Sequence, residues 1–327
     1  MSSTTVWHVW GRVAGPNLPA SPLTLDDIVV GLTRDSPLPE VGNVNPTPNG
    51  AHSHFANIES STRSESPCFV RVTVSAEGPF EALGKANLQQ VPLLQAALSL
   101  RQEGLSHRIQ LVAVDGPGGM QGLSGQAAVA LFKDEPLDHE GVERVRQNHT
   151  ALTSNAAARR AAMLLARGIR LLDLGSDVAL VGASLLAHFQ VLEAVGTSIP
   201  AEPPKDYGEQ RTQLMEALRA ELDSPATPSK KATAIRRCEA DLGRLDAKYT
   251  SLRIANAGAV LGMSQEWQSA ATALGKLRNT KLGHSAESVP FSEFAPWLPQ
   301  GTGIYGFSAL SLAKSLLDAW IERLVNG

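Results

Sequence analysis

One short segment near the end of the chain has residue types suited to oxyanion chemistry. Ala273–Ser285 reads ALGKLRNTKLGHS, with Arg278 and Asn279 adjacent and His284 six residues after the arginine. A guanidinium can meet two oxygens of an oxyanion at once. An imidazole titrates near neutral pH and can move a proton. Asn279 could orient either partner, and Lys276 and Lys281 add positive charge beside them. The same letters also spell a well-made helix end. Leu274 and Leu277 give it an apolar side, and Gly283 is a natural C-terminal cap. The cations fall where the helix dipole favours them. Six residues turn through roughly 600° of ideal helix, which leaves Arg278 and His284 about 120° apart around the axis. They converge only if the helix ends or distorts near Gly283.

Other candidates weaken on inspection. Asp115–Gly125 (DGPGGMQGLSG) is glycine-rich after a strand, yet lacks the Lys-Ser/Thr ending of a phosphate loop and reads as a turn-rich connection. His52 and His54 have no further ligands nearby, so no metal site is expected. His188 lies in an apolar helix and reads as a satisfied core histidine, and Trp7 and Trp10 read as core of a first strand. Lys230, Lys231, Arg236, Arg237, Arg244, Lys248 and Arg253 could line a polyanion, but Glu239, Asp241 and Asp246 interleave with them. That mixture is the pattern of a solvated helix face.

The elements that carry these residues fall into two kinds. Residues 1–150 read as a small α+β domain. Val6–Val13 and Leu23–Leu32 are strand candidates, 35–66 is a long Pro-, Asn- and Ser-rich loop, and Cys68–Ala76 is the clearest strand. Pro79 opens a helix to about Gln102, which Pro92 should kink or split, and Arg108–Val114 is a further strand. Residues 151–327 carry helical periodicity only. The expected helices are Asn155–Leu174 with Ser154 as N-cap, Val178–Val195 ended by Gly196 and Pro200, Glu209–Leu222, Ala232–Met263, Gln265 to about Leu282 with Ser264 as N-cap, and Ser308–Val325. Short connections between such helices make a bundle.

Composition sets the outer limits. The 327 residues suffice for two domains. The net charge of −3 argues against a strongly basic nucleic-acid binder. Residues 1–150 hold 10 basic and 15 acidic residues, a balance of −5, and residues 151–327 hold 19 and 17, a balance of +2. A polyanion would favour the second half, mildly. Cys68 and Cys238 make no metal spacing and no disulfide framework, which suits a reducing compartment. With no signal-peptide pattern and no membrane span, a cytoplasmic protein is expected.

Arg278-Asn279, four residues and His284 resemble the R-N-x-x-x-x-H signature of HEPN domains, with Leu277, Gly283 and Ser285 in the usual flanking context. Leu185–Val195 (LLAHFQVLEAV) resembles the family's apolar helix upstream of that motif. The likeness covers roughly 150–327 and is nearest to HEPN domains of prokaryotic defence proteins and methylamine-utilisation J-type proteins. It implies a helical bundle and metal-independent RNA cleavage without a cofactor. Arg278 would stabilise the phosphate, Asn279 would assist, and His284 would be general acid/base. Lys276, Lys281 and Glu193 would lie at the substrate side, with Glu193 holding the Arg278 fork. The competing reading of Glu193 is an ordinary surface carboxylate. One histidine per chain is short of an acid and a base, and HEPN domains pair, so a homodimer with a shared cleft is expected. RNA is the expected partner, with no membrane and a possible regulatory protein in a defence or toxin-like setting. Two alternatives stay open: a HEPN module that binds RNA, nucleotide or protein without cleaving, and a structural protein in which Arg278 and His284 only finish a helix.

Overall fold

The computed structural model describes residues 4–15, 17–32, 68–100, 107–119, 121–122, 137–173, 178–200, 207–282, 290–299, 301 and 303–327. The 35–66 loop with His52 and His54, and the segment with Gly283, His284 and Ser285, lie outside the described residues. The chain divides into two compact units, Met1–Arg170 with Ile321–Gly327, and Leu171–Trp320. The sequence reading places its boundary earlier, at 150/151.

The first unit is built on a six-stranded antiparallel sheet. Its strands are β1 (Thr5–Ala14), β2 (Leu23–Leu25), β3 (Ile28–Leu32), β4 (Cys68–Ala76), β5 (Arg108–Asp115) and β6 (Gln121–Gly122), in the order β2-β3-β4-β1-β5-β6. Alternation decides the two faces. Val9, Val70 and Val72 are fully buried on one, with Trp7, Val13, Val74 and Ala76 beside them. His8, Trp10, Arg12, Arg71 and Thr73 point to the other. The stretch 23–32, expected as one strand, is a hairpin. It turns at Asp26, whose φ of 49° lies in the left-handed region that aspartate tolerates. The glycine-rich 115–125 stretch, expected as a loop, contributes β6 opposite Ala113 and Val114; residues 123–125 lie outside the described residues.

The helix expected from Pro79 is split. It consists of α1 (Pro79–Lys85), a wide i→i+5 turn (Ala86–Gln90) and α2 (Val91–Ser99). Pro92 has no N–H to donate back one turn, so the ladder shifts register just ahead of it. All nine residues of α2 are buried. Its polar members are therefore used internally: Gln95 Nε2 donates to the His107 carbonyl at 2.8 Å, and Ser99 Oγ accepts from His107 N–H at 3.0 Å. Next come α3 (His139–Ser154) and α4 (Ala156–Asp173). The N-cap of α4 is Asn155, not Ser154. Asn155 Oδ1 accepts from the N–H groups of Ala157 and Ala158, both at 3.0 Å, while Ser154 is the last residue of α3.

The second unit is helical. It comprises α5 (Val178–Ser198), α6 (Tyr207–Asp223), α7 (Pro228–Val260), α8 (Gln265–Leu277), a wide turn (Arg278–Leu282), the short α9 (Phe291–Phe294) and most of α10 (Ala309–Asn326). The α5 helix runs past Gly196 and stops before Pro200. Gly196 lets it approach α7, since a Cβ there would lie 3.3 Å from the Ile254 side chain. The α6 and α7 helices form an antiparallel hairpin, with the Tyr207 and Tyr249 rings stacked 4.3 Å apart. Ser264 caps α8 as expected, its Oγ accepting from Trp267 N–H at 3.2 Å. The Trp267 ring is buried, and its Nε1 donates to Ser315 Oγ at 2.8 Å. Leu310, Leu317 and Ile321 on α10 are buried as the helical stripe requires, whereas Leu324 is exposed. Among the described residues α5 alone is long and apolar enough to cross a membrane, and more than half of it is buried within the protein.

Candidate functional site

The site is assembled where α8 passes close to α5 and gives way to the wide turn. Gly275 makes the approach possible: a Cβ there would lie 3.1 Å from Ser251 Oγ and 3.5 Å from the Phe189 ring. Phe189 is buried, and one helical turn further along α5 stands Glu193. Three residues beyond Gly275, Arg278 lies over this pair. Its guanidinium carbon is 5.7 Å from the centroid of the Phe189 ring, within the range of a cation–π contact. Nη2 is 3.6 Å from Glu193 Oε1, and Nη1 donates to Asn279 Oδ1 at 2.8 Å. Three groups therefore hold one fork.

The strength of these contacts differs. At 3.6 Å the Glu193 contact is an ion pair and too long for a good hydrogen bond. The two side chains are 37% and 26% exposed, so water screens their attraction. The Asn279 bond is short and local. Lys281 pairs with Glu293 of α9 at 3.3 Å. Lys276 is exposed on the last turn of α8. Two of the three cations thus carry a carboxylate partner, and the local field is only mildly positive. Of the residues singled out from the sequence, Arg278, Asn279 and Glu193 are brought together. Lys281 faces Glu293, and His284 lies outside the described residues. The departure from α-helical geometry begins at Arg278, ahead of Gly283 in the sequence.

Two contributors were missed in the sequence. Phe189 reads as one residue of an apolar helix, yet its spacing of four before Glu193 places both on one helical stripe and marks it as a floor for Arg278. Glu293 gave no signal, because its contact with Lys281 joins two elements through the fold.

The other candidates resolve as follows. His188 is buried, with neither ring nitrogen hydrogen-bonded, and burial pushes its pKa down to about 4. It is a core histidine as expected, but not a satisfied one. On α7, Arg244 pairs with Asp241 at 3.0 Å. Arg253 lies over Tyr249 at 5.4 Å and donates to the Thr197 carbonyl at 3.1 Å. Lys231 donates to the Leu222 carbonyl, and the side chains of Asp246 and Lys248 lie outside the described residues. Arg244, Arg253 and Lys231 are thus engaged locally, while Lys230, Arg236 and Arg237 are exposed. Among the described residues no three His, Cys, Asp or Glu side chains gather as metal ligands. No family model matches the chain, and neither a curated protein nor a solved structure matches it.

Proposed function

We propose that the Leu171–Trp320 unit is a HEPN-type, metal-independent endoribonuclease with Arg278 and His284 as its working groups. The observation that carries the reading is the Arg278 fork, fixed by Asn279, Glu193 and Phe189 at the start of a wide helical turn. Such turns recur at functional sites. In the proposed reaction the RNA 2′-oxygen attacks the adjacent phosphorus and its proton passes to a base. The bond to the 5′-oxygen breaks, and that oxygen takes a proton from an acid. The products are a 2′,3′-cyclic phosphate and a 5′-hydroxyl end. Arg278 meets the charge that builds on the phosphate oxygens, and His284 serves the proton transfers. A homodimer supplies two histidines to one cleft, one as base and one as acid.

The test is cleavage of a single-stranded RNA in EDTA, with the oligomeric state followed by light scattering. Arg278→Ala and His284→Ala should each lower the rate by about a hundredfold or more, with the dimer intact. Absence of cleavage by the wild type, or equal cleavage by His284→Ala, sinks the catalytic reading. The second reading, a HEPN module that binds RNA, nucleotide or protein without cleaving, is favoured by one observation. Glu193 already stands against the Arg278 fork, where a phosphate would have to compete with it. RNA binding without turnover, unchanged in His284→Ala, identifies that case.

A further inference from the structure

A second cluster in the first unit has the make-up of an anion site. On the face of the sheet opposite the buried valines, strand pairing sets Trp10 beside Arg71 and Arg12 beside Phe69. The two arginines thus stand at diagonal corners of one cross-strand square, roughly 7–8 Å apart at the backbone. The two aromatic rings occupy the other corners. Trp10 and Phe69 are each only 2% exposed, while both arginines are half-buried. The Arg71 guanidinium lies 6.0 Å from the centroid of the Trp10 ring.

The hydrogen-bond inventory of this square is one-sided. Trp10 Nε1, Arg12 Nη1 and Arg71 Nε are all buried without a hydrogen-bond partner. All three are donors. No described carboxylate pairs with either arginine; Asp115 stands opposite His8, and Asp27 lies beside Thr73, its carbonyl accepting from Thr73 N–H at 2.8 Å. His8 Nδ1 and Thr73 Oγ1 meet at 3.2 Å, so those two groups serve each other. Burial, then the charge of Arg71, lowers the pKa of His8, so the cation's field is felt across the face. Half-buried cations are normally paired, because desolvation without compensation is costly. Two such cations side by side also repel. A group with negative charge and several accepting oxygens would answer both deficits at once.

We propose that Arg12, Arg71 and the Trp10 indole N–H form a binding site for the phosphate group of a small phosphorylated ligand. A phosphate monoester carries close to two negative charges and three accepting oxygens. That matches two guanidinium forks and one indole donor. Arg12 and Arg71 contribute charge and bidentate geometry. Trp10 contributes one directed hydrogen bond and forms the floor under Arg71.

The experiment is calorimetric titration of the full-length protein with inorganic phosphate, with AMP and with a 12-nucleotide single-stranded RNA, beside thermal melts with and without each. Inorganic phosphate or AMP should bind the wild type and raise its melting temperature. Comparable affinity for both shows that the phosphate alone is read; preference for AMP shows that a nucleotide is the source. Arg12→Met and Arg71→Met should each weaken binding at least about tenfold and abolish the rise in melting temperature. Without ligand these variants should melt no lower than the wild type, because each removes an unpaired half-buried cation; this keeps the test independent of misfolding. Arg12→Lys and Arg71→Lys should fall between. Binding of RNA alone, indifference of the wild type to phosphate and AMP, or unchanged affinity in both Met variants overturns the proposal. RNA cleavage is not the readout, so the outcome is independent of the role of Arg278.

Discussion

His188 makes the stability of the second unit sensitive to acid. The side chain is 1% exposed, and neither ring nitrogen has a hydrogen-bond partner. Burial alone pushes its pKa down to about 4, from 6.5 when unperturbed. The unfolded chain therefore binds the proton more tightly than the folded one, and stability is lost as pH falls. The contribution is fully present above about pH 6.5 and drains away down to about pH 4. Between pH 7.5 and pH 5.0 the linkage amounts to about 2 kcal/mol. His8 and His149 also have lowered pKa values and add to the wild-type slope. The decisive quantity is thus the difference between wild type and His188→Leu. Leucine is of similar volume and leaves no polar atom unmet, so the variant should be at least as stable at pH 7.5. Urea unfolding at both pH values measures the two losses. The wild type should lose about 2 kcal/mol more than His188→Leu on going to pH 5.0. Equal losses would show that the imidazole is not held neutral by burial.

Four further substitutions probe the frame and the site. Gly258→Ala places a Cβ 2.5 Å from the Trp267 ring and should cost about 1–3 kcal/mol in chemical unfolding; an unchanged midpoint refutes the close approach. Asn155→Ala removes the acceptor for two N–H groups of α4 and should cost about 1 kcal/mol by the same measurement, where Ser154→Ala should cost less. Glu193→Gln removes a screened, partly exposed pair, so stability should change by less than about 1 kcal/mol. If Arg278 receives a phosphate, that variant should bind single-stranded RNA several-fold more tightly at low salt, and weaker binding contradicts the reading.

The α+β class and most helices are legible in the sequence because they rest on local signals. Alternation in CFVRVTVSA, Pro79 at a helix start and Ser264 as a cap each act within a turn or two. What escapes is set by choices between equal local options. Ser154 and Asn155 are both good caps, and only the end of α3 decides between them. The β2–β3 turn lacks glycine, so an apolar run hides a reversal that Asp26 makes in the left-handed region. The α3 helix escapes the sequence reading, because its 16 residues are mostly polar and offer a weak apolar stripe.

The site was legible to a different depth. Residue types named Arg278, Asn279 and Glu193 without showing that they meet, because α5 and α8 are some eighty residues apart in the chain. Their meeting depends on Gly275, whose missing side chain admits the Phe189 ring; Phe189 then carries Glu193 to Arg278 through ordinary helical spacing. The Trp10 square escaped for the opposite reason. From sequence, a tryptophan in a first strand is core, and Trp10 is indeed buried. Alternation puts Arg12 on its face, but only the register with β4 brings Arg71 beside it as a second cation. Alternation tells which residues share a face of one strand, but the chemistry of a sheet face is decided by the strand beside it.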